Sequence, residues 1–367
     1  MTRGAGNAPH VLIDARKAFD GGIGRHLRET ALLLPAELPG WRLSLLVDTG
    51  AGERFTAAGL GAPAFAHVEV TARKYGLAEP ATLRRIAARM RPDLFHTPHY
   101  VLPAGMPCPS VVTIHDVIHL KRPRTPLHRW YATLRMRTAC REARCVITVS
   151  HASAADLRRF VPVEPRRLRV IPNGARIVER PATPVTPNGY VLYVGSLKPH
   201  KNVTTLLDGF ARTQDDRELW LAGQWQREER YRRDLTARVR AAGLERRVRF
   251  IAGFPESSLD RLLFGALVLV APSWEEGFGL PALEALAHGT PVIASRRGAY
   301  PEVLADAALF VDGADPAEIA VAIEAVAARS AAESMRWSHA ARARARQFDW
   351  AAAARATAAV YHEILNG

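Results

Sequence analysis

The sequence predicts an α/β chain built as two doubly wound parallel-sheet domains joined by one linker. Three observations carry that expectation. Short β-branched runs alternate with helix-length amphipathic stretches along the whole chain, the pattern of strands that cross over through helices onto a parallel sheet. One stretch breaks the alternation: Pro172 to Tyr190 holds prolines at 172, 181, 184 and 187 and an Asn-Gly at each end, which reads as a connection between domains. The length of 367 residues, 48% of them apolar, gives a prior for two or three domains with ordinary cores.

Taken in order, the first-half strands are expected at His10–Asp14, Leu43–Val47, Leu94–Thr97, Ser110–Asp116, Cys145–Ser150 and Leu168–Pro172. Helices fall between them at Gly24–Leu34, Glu79–Arg91, Arg129–Arg141 and Ser153–Phe160. In the second half the strands are Tyr190–Gly195, Glu218–Ala222, Val248–Ala252, Leu267–Ala271, Pro291–Ala294 and Leu309–Val311. Its helices are placed near Asn202–Ala211, Arg227–Ala242, Ser257–Gly265, Leu280–Ala287, Pro316–Arg329, Arg336–Gln347 and Trp350–Leu365. The expected division is residues 1–175, a linker at 176–189, a second domain at 190–348 and a terminal helix at 349–367. In sheets of this kind ligands bind beyond the carboxyl ends of the strands, so two such domains facing each other are expected to make a cleft.

Charge and composition narrow the class. Residues 1–180 hold 28 Lys and Arg against 14 Asp and Glu, whereas the rest holds 22 of each. The basicity therefore belongs to a partner of the first half: a nucleic acid, an anionic membrane or a phosphorylated acceptor. The longest apolar run, Ala266 to Pro272, falls far short of the ~20 residues that cross a bilayer. Met1 to His10 lacks the basic-then-apolar pattern of a secretory signal. Three cysteines, Cys108, Cys140 and Cys145, have no metal-ligand spacing and are too sparse for a disulfide framework.

The motifs gather where strands end. In Pro272 to Ala285 an apolar strand runs into a loop with Gly277 and Gly279, then a helix opens at Leu280 with Pro281 in its first turn. The helix-start amides around Gly277, Phe278, Gly279 and Leu280 suit an anion or a sugar hydroxyl. Glu276 and Glu284, eight positions apart, are both expected to face the ligand. Val194 to Asn202 repeats the strand–loop–helix form and places Lys201 near a helix N-terminus, where a cation opposes the dipole unless an anion joins it. A phosphate there would resolve the conflict; a solvated lysine is the plain alternative. Phe19 to His26 carries Gly21, Gly22 and Gly24 but has Leu27 where a dinucleotide fingerprint needs its third glycine. It fits either a ligand-approaching loop or a tight turn.

His96, His99, His115 and His119 with Asp116 invite a metal reading, yet their spacing is wrong for a paired helical ligand set, and no metal is expected. His115 is the one expected to touch a polar ligand. The basic stretch Lys121 to Arg144 has Glu142 as its one acid. Leu127, Trp130, Tyr131, Leu134 and Met136 interleave there with Arg129, Arg135, Arg137 and Arg141, which fits a membrane-surface helix or a core-packed helix with a solvated cationic face.

On these motifs the chain resembles the retaining glycosyltransferases of family 4, with the GT-B fold, and within them the bacterial mannosyltransferase-like branch that builds O-antigen and exopolysaccharide chains. The resemblance runs from Leu12–Arg16 and Gly22–Arg25 through Phe95–Pro98, Val112–Asp116, Ile147–Ser150 and Val170–Gly174. It continues in Tyr193–Gly195, Lys201-Asn202, the Glu276–Glu284 frame, Gly289–Val292 and Pro301–Val303. It implies that Glu276 meets the donor sugar hydroxyls and Glu284 the nucleotide ribose. By the same resemblance Lys201 meets the donor pyrophosphate, Gly277 to Leu280 supply amides to sugar and phosphate, His115 lies near the reacting sugar carbon, and Gly22 and Gly24 form the N-terminal glycine loop. The family often has arginine where this chain has His200, and some members have it at Ser196, so pyrophosphate binding rests more heavily on Lys201. The terminal helix resembles the family segment that crosses back to the first domain.

The expected protein is thus a metal-independent, cofactor-free retaining hexosyltransferase with mannose from GDP-mannose as the leading donor. Its acceptor is a lipid-linked or cell-surface glycan, and it works by front-face attack with the leaving phosphate as base. It is expected to be cytoplasmic, peripheral on the inner face of the cytoplasmic membrane, with Arg129, Trp130, Arg135 and Arg137 toward membrane or acceptor, and without a nucleic-acid partner. A nucleotide-sugar epimerase or a glycan phosphorylase on the same fold is the first alternative. A basic nucleic-acid-binding protein is the second, and it leaves the Glu276–Glu284 frame unexplained.

Overall fold

The structure is a computed structural model that describes residues 8–177, 189–223, 225, 228–254 and 258–367. The expected linker at 176–189 lies almost wholly outside them, as do the first residues of the helices expected at Arg227 and Ser257. The chain divides into two compact units, one of Met1–Gly174 with Trp350–Gly367 and one of Ala175–Asp349.

The first unit opens with β1 (His10–Asp14), α1 (Gly21–Glu37), β2 (Arg42–Asp48), α2 (Gly52–Ala57), β3 (Ala66–Val70) and α3 (Glu79–Met90). It goes on through β4 (Leu94–Thr97), β5 (Ser110–Thr113), α4 (Ile118–Lys121), α5 (Pro126–Glu142), β6 (Cys145–Thr148), α6 (His151–Phe160) and β7 (Leu168–Val170). The strands form one parallel sheet in the order β3-β2-β1-β4-β5-β6-β7. The second unit runs β8 (Tyr190–Val194), α7 (Val203–Phe210), β9 (Leu219–Gly223), α8 (Glu229–Ala241), β10 (Val248–Ala252), α9 (Leu259–Gly265) and β11 (Ala266–Ala271). It ends in α10 (Leu280–His288), β12 (Val292–Ser295), α11 (Tyr300–Leu304), β13 (Leu309–Val311), α12 (Pro316–Ala327) and α13 (Ala331–Ala345). Its parallel sheet has the order β10-β9-β8-β11-β12-β13. Both sheets are doubly wound, and β11, buried at every residue, shows why such strands read as continuous apolar runs: helices cover both faces.

The last helix, α14 (Trp350–Asn366), belongs to the first unit. It packs on α1, and its buried Tyr361 sets its hydroxyl 2.6 Å from Nδ1 of His96.

Several boundaries differ from the sequence reading. Strand β3 and helix α2 were not expected, because only Val70 of β3 is buried and an edge strand with a wet face carries little apolar signal. Strand β5 stops at Thr113 rather than Asp116. Beyond it Ile114 N still donates to the Ile147 carbonyl at 2.8 Å, and side chains then take over: Thr148 Oγ1 donates to the Ile114 carbonyl at 2.7 Å and Ser153 Oγ to the His115 carbonyl at 2.9 Å. Strand β6 ends before Ser150, whose hydroxyl instead caps α6 by accepting from Ser153 N. Helix α13 starts at Ala331, five residues before the expected Arg336, because Ser330 and Glu333 form a capping box. Helix α1 starts at Gly21, not Gly24, the chain entering through a left-handed Gly21 with φ of 54°.

Candidate active site

In the second unit the ends of β8 and β11 bring Lys201 and Glu276 together across 75 residues of sequence. Lys201 Nζ lies 2.5 Å from Glu276 Oε2, with both side chains largely buried. The carboxylate occupies the place where the sequence reading put a phosphate, and it offsets the cation at the start of α7. Asn202 follows in the left-handed region at φ of 56° and anchors that turn, its amide donating to the carbonyls of Pro272 and Gly313. The amide of Trp274 donates to the His200 carbonyl at 2.8 Å, so the two loops are tied by backbone as well as by charge.

The Glu276 carboxylate has a second partner. The Tyr300 hydroxyl donates to Oε2 at 3.3 Å, and the Ser273 hydroxyl lies 3.3 Å from the same phenol. Burial, reinforced by the Glu276 charge, pushes the Tyr300 phenol well up, so it remains a donor. Gly298, at φ of 57°, lies against the Glu276 backbone: a Cβ there would meet the Glu276 carbonyl oxygen at 2.4 Å. Ala299 N donates to that same carbonyl at 3.0 Å. Tyr300 and Gly298 are thus site residues that sequence reasoning missed, whereas Ser273 and Asn202 lay inside its motifs without an assigned role. Tyr300 directly precedes the Pro301–Val303 motif, which was the available signal.

Gly277, Phe278, Gly279 and Leu280 form a buried loop that leads into α10. Gly279 adopts φ of 93°, and a Cβ there would press on the Tyr300 ring at 2.6 Å, so glycine is required twice over. The amides of Gly279 and Leu280 open α10 and have no acceptor within the helix. Glu284 lies one turn on and is buried.

The first unit holds the remaining predicted residues. His115 is half-buried in the loop after β5, its Nε2 3.3 Å from the Pro98 carbonyl and its ring edge-to-face with His26. A carbonyl only accepts, so Nε2 carries the proton and Nδ1 presents a lone pair. Burial first, then His26, holds its pKa well below the ordinary histidine value. The ring is neutral near pH 7, a hydrogen-bond acceptor rather than an acid.

The other histidines do not converge with it. His96 bonds Tyr361 and Thr113, and His99 bonds the Tyr75 hydroxyl. Among the described residues no group of three or more His, Cys, Asp or Glu could hold a metal ion.

Gly22 and Gly24 lie in the first turn of α1 rather than in a loop. A Cβ on Gly24 would meet the Ala18 carbonyl oxygen at 2.5 Å, so the close approach at Gly24 is to its own chain.

Helix α5, capped by Thr125, carries two apolar stripes. Ala132, Met136, Ala139 and Cys140 join the core of the first unit, so Met136 follows the core-packed alternative. Leu127, Trp130 and Leu134 are exposed at 73%, 63% and 47%. At about 100° per residue they share one stripe with Arg137 and Arg141. Arg129 and Arg137 are exposed, whereas Arg135 is half-buried over the Tyr131 ring with its Nε inside, so it does not share the outer face. No helix among the described residues is long and apolar enough to cross a membrane.

Comparison with known proteins agrees with this architecture. Residues 20–177 match the family described as Glycosyltransferase Family 4, and residues 178–344 match Glycosyl transferases group 1. The MMP alpha-(1->4)-mannosyltransferase of Mycolicibacterium hassiacum is 33% identical over 55% of this chain and 51% of its own. The O-antigen chain mannosyltransferase B of Escherichia coli is 30% identical over 60% of this chain and 62% of its own. The alignments thus span between half and two thirds of these relatives. Among solved structures, the sucrose-phosphate synthase of Thermosynechococcus elongatus covers 98% of this chain and 100% of its own at a TM-score of 0.81 and 22% identity. HepE of Anabaena, in complex with UDP and glucose, covers 97% of this chain and 100% of its own at a TM-score of 0.78 and 18% identity. Both likenesses are to the GT-B fold.

Proposed function

The chain belongs to the glycosyltransferases of family 4, and on that premise we propose that it moves a hexose from a nucleotide sugar to a lipid-linked or cell-surface glycan with retention of configuration. The observation that carries the reading is the Lys201–Glu276 pair beside the opening amides of α10. Breaking a sugar–phosphate bond builds negative charge on the leaving pyrophosphate. A fixed ammonium and helix-start amides stabilise that charge without reorganising at the moment of reaction.

In this reading Glu276, held by Tyr300, accepts from sugar hydroxyls, and Lys201 shifts from the carboxylate toward the arriving pyrophosphate. Glu284 holds the ribose, and the lone pair of His115 Nδ1 accepts from a hydroxyl of the transferred sugar. The leaving phosphate takes the acceptor proton in a front-face attack, and the lysine and amides do the work a metal ion does in other transferases. The two mannosyltransferase relatives favour mannose as the transferred sugar, and GDP-mannose is the donor of this reading. The exposed stripe of α5, with Trp130 as anchor beside Arg129 and Arg137, favours a peripheral anionic membrane surface.

The test is turnover against a panel of GDP- and UDP-hexoses with chelator present, and the anomeric configuration of the product read by NMR. Chelator-resistant transfer that keeps the donor's anomeric configuration supports the proposal. Inverted product, or transfer that stops when metal is removed, overturns the mechanism.

A further inference from the structure

Two sequence motifs that the proposed reaction leaves without a task, Gly22–Arg25 and Val170–Gly174, meet at His26. This residue follows Arg25 in α1 and is buried. Its Nδ1 lies 2.7 Å from Oδ1 of Asn173, in the loop after β7. An amide oxygen only accepts, so Nδ1 carries the proton. Burial holds the His26 pKa down at about 4, which leaves the ring neutral near pH 7 and in one tautomer. Trp350, the first residue of α14, backs that ring at 6.2 Å between centroids.

The glycines set the side of α1 from which His26 projects. A Cβ on Gly24 would meet the carbonyl oxygens of Ala18 and Lys17 at 2.5 and 2.8 Å, so α1 rests directly on that backbone. Gly24 N donates to the Asp20 carbonyl at 3.1 Å, and Arg28 donates to the Ala18 carbonyl one turn on. The helix is thereby fixed in rotation. His26 stands two residues beyond Gly24, about 200° round the helix. There it meets His115, with 4.8 Å between ring centroids and 82° between planes.

His115 needs such a contact. Among the described residues its ring makes one hydrogen bond, from Nε2 to the Pro98 carbonyl, and at 3.3 Å that bond is long. The Ser153 hydroxyl holds the His115 carbonyl and does nothing for the ring. A half turn of the ring would exchange its nitrogens for carbons, and one long bond resists that weakly. An edge-to-face contact with a ring that is itself locked supplies the second restraint.

We propose that His26 is a positioning residue for the transfer reaction: fixed by Asn173, it holds the His115 ring with Nδ1 presented as an acceptor. The inference rests on the reading that gives His115 a hydroxyl of the transferred sugar, and adds the residue that orients it. Gly24 and Asn173 then act through His26, one by seating α1 and the other by fixing the ring.

The test reads the His115 ring directly. The full chain is labelled with 15N-histidine, the tautomer is read by long-range 1H–15N NMR at pH 7, and His115→Gln assigns the signal. Wild type should show the Nε2–H form alone. His26→Ala should mix the two tautomers of His115 and lower kcat about 10–100-fold, while KM for the nucleotide hexose stays within about threefold. Turnover is nucleoside diphosphate released from the donor that the hexose panel selects. His26→Phe keeps a ring against His115 and should restore the single tautomer and most of kcat. His26→Gln has an amide for Asn173 but no ring, and should restore neither. Asn173→Ala keeps both rings, frees His26 and should mix the tautomers in smaller measure.

A single His115 tautomer in His26→Ala, or in Asn173→Ala where the alanine at 26 does not fold, overturns the proposal. So does a kcat loss that phenylalanine and glutamine restore equally. A His115→Gln enzyme at wild-type kcat instead removes the role that the transferase reading gives His115, and the tautomer result still judges His26.

Discussion

Replacing Lys201 with alanine separates what the ion pair does for the fold from what the lysine does for the reaction. The pair is largely buried, its side chains 18% and 13% exposed. Removing the lysine leaves the Glu276 carboxylate with the longer Tyr300 bond at 3.3 Å. An under-satisfied, partly buried charge of that kind costs about 1–3 kcal/mol. At roughly 2–4 °C per kcal/mol for a unit of this size, the second unit should melt roughly 2–12 °C lower. Turnover should fall further, by about 10²–10³-fold, the effect of removing one preorganised donor from a developing anion.

The double variant Lys201→Ala/Glu276→Gln tells the two apart. It neutralises the stranded carboxylate, so the melting temperature should recover while turnover does not, a coupling read as a double-mutant cycle. The assays are calorimetry and initial-rate release of nucleoside diphosphate. A Lys201→Ala enzyme within about threefold of wild-type turnover, well inside the loss expected for a lost donor, refutes the pyrophosphate role.

Three further outcomes follow from the geometry. Gly298→Ala should destabilise the second unit by about 2–4 kcal/mol, since its Cβ meets the Glu276 backbone and its φ is left-handed; calorimetry showing no loss contradicts the packing. Burial lowers the pKa of His26 to about 4 and of His96 to about 3. Because the unfolded chain binds those protons first, stability is fully present above about pH 6.5 and falls on acidification. The slope is roughly 1.4 kcal/mol per pH unit for each ring. Denaturant titrations of the first unit at pH 7, 6 and 5 should show it, with His96→Gln removing that one ring's share of the slope; a flat profile contradicts it. Lastly, Trp130→Ala with Arg129→Ala and Arg137→Ala should abolish sedimentation with anionic liposomes and leave nucleotide affinity unchanged; unchanged sedimentation removes the membrane role of α5.

Much of this was legible because it depends on local pattern. The buried run of β11, the glycines after it and Pro281 at the start of α10 are all consecutive in sequence, so strand, loop and helix read off directly. The two doubly wound sheets followed from the alternation alone, and the resemblance to family 4 supplied the GT-B arrangement. What escaped depends on distance. The Lys201–Glu276 pair joins strands β8 and β11, which are neighbours in the sheet but 75 residues apart in the chain, and no spacing rule reveals which lysine meets which glutamate. Gly298 and Tyr300 follow β12 and gain their roles only by resting against the β11 loop. Strand β3 was missed because an edge strand with one buried residue has no periodicity to show. On α5 the arginine-rich composition was plain, but the split between a core stripe and an exposed stripe, and the turning of Arg135 onto Tyr131, needed the packing of the first unit.

Lys201, Glu276, the α10 amides and Glu284 form the nucleotide-sugar site proposed for the second unit. Thermal shift of the full chain with GDP, UDP and their hexose derivatives, with and without EDTA, tests it most directly. The expected result is a selective rise in melting temperature with one base that survives EDTA. In Glu284→Ala that rise should shrink as affinity drops by about 10–100-fold. No rise with any nucleotide, or a rise that Glu284→Ala leaves intact, would contradict it.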